Sequence, residues 1–216
     1  MSEAVNRKAE RVVLVVVSLA MVWAAELVVN AQDPIDGVDA RANTAELGRQ
    51  LSSPDPLVRQ RSAEALARLA AVDQLKMVQG YQLEEKNKDV RLALDWALYR
   101  MGKSELLYRV VHELNSGRQL QAIGYLSQLD SPDLLYPFLK DETNPPRVNV
   151  GLIKALARIG DAKTLNLIGP FRESMQPGVA EAAETAHDEI EKRLGQETPA
   201  TTSRPRTVEK PGPQRD

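Results

Sequence analysis

Apolar positions recur along this chain at a long period and, within each period, at helical spacing. Segments beginning at Val58, Val90, Arg118, Val148 and Val179 align with spacings of 32, 28, 30 and 31 residues. Counting each start as zero, position +8 holds Leu66, Leu98, Leu126, Leu156 and His187, and position +11 holds Leu69, Met101, Leu129, Ile159 and Ile190. Positions +17 and +20 pair Leu75 with Val78, Leu107 with Val110, Leu135 with Phe138 and Leu165 with Ile168. Self-similarity at such a period marks stacked supersecondary units. Residues three apart share a helix face, so each unit predicts two short amphipathic helices with facing stripes, a helical hairpin. Ala65, Ala97, Ala155 and Ala186 at +7 predict neighbouring first helices at the roughly 8–10 Å of close helix packing. Tyr125 alone breaks that column.

Punctuation agrees with this register. Ser53-Pro54-Asp55-Pro56, Asp89, Asp130-Ser131-Pro132, Asn144-Pro145-Pro146 and Gln176-Pro177 mark helix starts, because caps and proline suit a first turn whose N–H groups lack partners. Gly102 and Gly160 read as stops of first helices. Pro137 and Pro170 are expected to shorten or kink second helices. The stretches P-D-P-x-V-R-x-x-S-A-x-A-L at 54–66 and D-V-R-x-x-x-x-x-A-L at 89–98 resemble HEAT repeats, in particular the short bacterial HEAT-like type of the phycobilin lyases. The resemblance covers residues 41–195 and implies an all-α fold, a right-handed α-solenoid of about five HEAT-like hairpins. Proteins of this type are mostly scaffolds, adaptors and binding platforms, and a minority chaperone bilins.

The ends are organised differently. Residues 12–25 are an uncharged apolar run, preceded by Arg7, Lys8 and Arg11 and followed by Val29-Asn30-Ala31. This is the three-part pattern of an export signal, with cleavage expected after Ala31. Read instead as a retained anchor over residues 12–30, it still places the remainder outside the cytoplasm, periplasmic or secreted. Residues 1–31 are therefore expected to be a signal peptide or membrane anchor and 32–40 a linker. Leu47 and Leu51 suit a capping half-unit, and the charged helix from Val179 to Leu194 suits a cap at the other end, as an open stack requires. Residues 196–216, proline-rich and without an apolar period, are expected to be disordered.

Composition narrows the chemistry. The 28 Lys and Arg balance 30 Asp and Glu, a formal charge of −2, so no nucleic-acid partner is expected. The absence of cysteine excludes thiolate catalysis, cysteine-held metals and disulfides. Two histidines, His112 and His187, cannot build the usual acid–base or metal constellations, and no phosphate loop or nucleophile elbow occurs. No catalytic role, cofactor or metal is expected. Asp55 with Arg59 and Asp89 with Arg91 read as caps and inter-unit pairs, and His187 sits in a core column.

The informative column is +18, which holds Lys76, Tyr108, Tyr136 and Asn166, with His112 and Lys140 four residues beyond the two tyrosines. That spacing places them on one side of the second helices, away from +17 and +20. Tyr108, His112, Tyr136 and Lys140, with Arg109 at the edge, are expected to form a surface for a protein partner carrying an acidic segment. The two tyrosines are expected side by side, roughly 10 Å apart, on consecutive second helices. The membrane enters only through an uncleaved N-terminal segment. The rival readings are a lyase-like or chaperone role toward a pigment or cofactor protein, and a structural subunit of an envelope complex.

Overall fold

The computed structural model describes residues 36–197, which hold ten α-helices and no strand. The N-terminal helix α1 spans Asp36–Gln50, beginning inside the stretch expected to be linker. The first unit holds α2 (Pro56–Arg68) and α3 (Leu75–Glu84), and the second α4 (Lys88–Arg100) and α5 (Leu106–His112). The third holds α6 (Gln119–Leu126) and α7 (Tyr136–Leu139), the fourth α8 (Pro146–Ile159) and α9 (Ala162–Ile168), and α10 (Pro177–Glu197) closes the series. First helices pack on one another, α2 on α4, α6 on α8 and α8 on α10, while α3 and α9 pack on the first helices that follow them. The export segment and the tail from residue 198 lie outside the described residues. Among the described residues no helix is long and apolar enough to cross a membrane.

The core follows the columns. Leu66, Leu98, Leu126 and Leu156 are all buried, as are Met101, Leu129 and Ile190. Each such side chain is worth about 1.5–3 kcal/mol removed from water. Leu69 is an exception, 50% exposed at the C-cap of α2. His187 is only partly buried, with Nδ1 3.7 Å from a Glu191 carboxylate oxygen.

Unit three departs most from the expected hairpin. Its second helix is a single turn, Tyr136–Leu139, preceded by a 3₁₀ turn over Pro132–Leu134. Pro137 stands in the opening turn of α7, and Pro170 opens a 3₁₀ segment over Gly169–Glu173, so both prolines begin elements and neither kinks one. The deficit is covered from outside the unit. Leu114, fully buried in the 3₁₀ turn after α5, rests on Gly151 of α8, where an added Cβ would stand 2.7 Å from a Leu114 methyl.

Where Tyr125 replaces the alanine of its column, the packing changes character. Its ring stacks on Trp96 of α4, centroids 5.5 Å apart and nearly parallel, and Tyr99 covers Trp96 at 5.4 Å. The Tyr125 hydroxyl then donates to Glu64 of α2 at 2.6 Å, joining the first and third units over the second. Aromatic rings thus fill the interval between α4 and α6 that alanines close elsewhere.

Caps follow elementary rules, with one correction. Asp55 caps α2 by accepting from the Leu57 N–H at 2.9 Å, but α4 is capped by Asn87, which accepts from the N–H groups of Asp89 and Val90. Asp89 therefore lies inside the first turn. Both helices end in the same two-bond motif: Ala71 and Lys103 donate back to Leu66 and Leu98, while Ala70 and Gly102 donate to Ala67 and Tyr99. This geometry requires a left-handed residue, and Gly102 supplies it at φ 101° whereas Ala70 is held at φ 45°. A Cβ there costs about 1–2 kcal/mol, and glycine's extra freedom in the unfolded chain returns about 0.4–1 kcal/mol of that. Ala70→Gly should therefore stabilise the protein by about 0.5–1 kcal/mol in urea denaturation, the opposite of alanine-to-glycine changes inside helices.

Candidate functional site

The second helices bring most of the expected surface together and remove one member from it. Tyr108 on α5 is 66% exposed, its ring centroid 6.5 Å from that of His112 one turn on. Arg109, His112 and Lys140 are exposed beside it in sequence and register. The neighbouring ring is Phe138 of α7, 6.4 Å away, not Tyr136. Lys140 lines a cleft of about 580 Å³ together with Leu139, Asp141, Glu142, Leu167 and Phe171.

Tyr136 is 4% exposed, which corrects the expectation of two exposed tyrosines side by side. Its hydroxyl donates to Asp161 at 2.9 Å and lies 2.7 Å from the Thr164 hydroxyl, inside the capping box that starts α9. Lys163 Nζ lies 4.8 Å from the ring centroid. Burial, reinforced by the Asp161 carboxylate, pushes the phenol up to about 12. The cause is helical register: a 3₁₀ turn advances about 120° per residue against 100° in an α-helix, so the turn before α7 rotates Tyr136 inward and leaves Phe138 only partly buried.

No family model and no curated protein matches this chain.

The predicted inter-unit ladder exists with different rungs. Arg59 grips Glu85 in the loop before α4 through two hydrogen bonds, at 2.8 and 3.0 Å, and also donates to the carbonyls of Ser53 and Pro54. That pairing holds the Glu85 carboxyl below its usual range. The Arg91 side chain, at the matching place in unit two, makes no hydrogen bond among the described residues, while its backbone N–H donates to the Asn87 carbonyl.

The residue missing from the expected site is Asp95. It lies in α4, nine-tenths buried, and accepts from buried Gln82 of α3 at 2.8 Å. Arg109 of α5 approaches the same oxygen, Nη1 to Oδ1 3.7 Å, so one carboxylate touches two second helices and supports a member of the exposed patch. Its signal is the lone acid in the buried run Leu92-Ala-Leu-Asp-Trp-Ala-Leu98. Burial pushes the Asp95 carboxyl above the ordinary aspartate range, against the opposing pull of Gln82 and Arg109. A raised folded-state pKa contributes stability that is present below the unfolded value and is lost as pH rises through the folded value. Asp95→Asn keeps the carbonyl that Gln82 needs and removes that loss. Its stability relative to the parent should rise as pH increases above about 4, the unfolded value, in paired urea melts; a flat difference would contradict the raised pKa, and a falling one would show that ionised Asp95 stabilises the fold.

Proposed function

We propose that this chain is a HEAT-like α-solenoid, exported or anchored through residues 12–30, that serves as a scaffold or adaptor. It binds another protein through its second-helix surface at Tyr108, Arg109, His112 and Lys140, with Phe138 in the place first expected for Tyr136. The roughly thirty-residue period, two helices per unit and packing of α2 on α4, α6 on α8 and α8 on α10 support the solenoid reading. The observation behind the partner reading is Tyr108 itself. A large ring two-thirds exposed, flanked by a second aromatic and by Arg109, is the composition of an interface anchor. Tyrosine orders only two side-chain torsions on binding and offers both a face and a hydroxyl, while the cations favour an acidic partner segment.

The test is affinity capture with the full chain, read by mass spectrometry for a stoichiometric protein partner. Loss of an interface anchor costs at least about 2 kcal/mol, so Tyr108→Ala combined with Arg109→Ala should lower recovery of that partner more than tenfold while circular dichroism is unchanged. Tyr136→Phe should leave recovery unchanged. Equal recovery by the parent and the double variant contradicts this assignment.

A further inference from the structure

A second site lies on the first helices, away from the Tyr108 surface and independent of it. Helices α2 and α6, from alternate units, meet over α4 to leave a pocket of about 220 Å³. Trp96, 2% exposed, underlies it, and Tyr125 and Gly124 line the α6 side. Below about 300 Å³ a pocket is smaller than ordinary ligand and cofactor cavities, and its natural occupant is the size of one side chain.

The hydrogen bonds around the pocket all run one way. Gln121 Nε2 donates to the Asp89 carbonyl, which only accepts, and to the Tyr125 hydroxyl at 2.8 Å. Tyr125 in turn donates to Glu64 Oε1, which also accepts from Gln60 Nε2 at 2.9 Å. Gln128 Nε2 donates to the Gly124 carbonyl. Both Gln121 amide protons and the phenol proton are thereby used, while Gln60 and Gln128 each keep one amide proton. Glu64 Oε2 and the side-chain oxygens of Gln121 and Gln128 accept nothing among the described residues. A half-buried carboxylate and two amide oxygens form an acceptor-rich lining beside aromatic rings, and Arg68, exposed at the rim and without an ion pair among the described residues, is its one cation.

We propose that this pocket receives a cationic side chain, arginine or lysine, from a partner polypeptide. Arginine carries five donors and no acceptor, the complement of this lining. Arg100 stands 5.8 Å from the Trp96 centroid outside the pocket, which shows a cation beside this ring system. The rings and network come from three units, so the pocket is assembled only by the folded array. Arg68 sets specificity: it repels a second cation at the rim and would attract an anion.

The test is a ¹⁵N-resolved NMR titration of the full chain with the blocked peptide Gly-Gly-Arg-Gly-Gly, its citrulline counterpart, agmatine and acetate. The arginine peptide should shift the Gly124 amide and the side-chain amides of Gln121 and Gln128, and the citrulline peptide should not. Glu64→Gln keeps an oxygen for Gln60 and Tyr125 and should weaken the arginine peptide at least about fivefold, the value of one partly exposed charge pair. Arg68→Ala should tighten it about twofold or more by removing like-charge repulsion. Equal response to citrulline, a stronger response to acetate, or weaker binding by Arg68→Ala would overturn a cation site. Tighter binding of agmatine than of the peptide would overturn the polypeptide source.

Discussion

No helix between α2 and α9 is longer than 14 residues, and α7 is a single turn. Isolated helices below about 12–15 residues are marginal in water, so each of these segments is helical because a neighbour covers its apolar stripe. The dependence explains where the sequence keeps strict columns. Leu66, Leu98, Leu126 and Leu156 are each sealed by the units on either side, and replacing any of them would open a cavity between helices that have little stability of their own. It also explains how a defective unit survives. The third unit has almost no second helix, yet Leu114 of the second reaches Gly151 of the fourth and closes the gap.

Periodicity carried the helices, their order and most of the buried face, because burial on one side of a 3.6-residue turn writes itself into the sequence at fixed spacing. It carried less where local geometry leaves the α-helical turn. Tyr136 shares the +18 column with Tyr108, but the 3₁₀ turn before it changes the angle per residue, and a column count has no means of registering that change. Asn87 displaced Asp89 as a cap because the helix starts at Lys88, one residue before Asp89; both residue types can cap, and the position of the first turn decides which one does. Leu69 and Met101 occupy equivalent positions, and their different exposure depends on what each unit has beside it.

The informative exceptions were visible as breaks in a column. Tyr125 stands where the other units have alanine, and Asp95 interrupts a buried apolar run. Each proves to be a junction. Tyr125 links the first and third units through Glu64, and Asp95 links α4 to Gln82 of α3 and Arg109 of α5. Buried polar groups of this kind are costly unless satisfied, and both are satisfied by partners from other helices. The two junctions face different surfaces: Asp95 supports the Tyr108 patch from beneath, whereas Glu64 and Tyr125 build the pocket on the first helices. The two proposed sites together would let one polypeptide be engaged at two places, with an acidic segment on one side and a basic side chain on the other.

The link between α2 and α6 through Glu64 and Tyr125, over Trp96, is the feature on which both the packing of the first three units and the proposed cation pocket depend. A double-mutant cycle of Glu64→Ala and Tyr125→Phe, measured as urea stability of the two single variants, the double variant and the parent, tests it most directly. A hydrogen bond to a charged group predicts a coupling energy of about 1.5–3 kcal/mol between residues 61 positions apart. Additivity within about 0.3–0.5 kcal/mol would mean that the two side chains do not meet, and would contradict the arrangement.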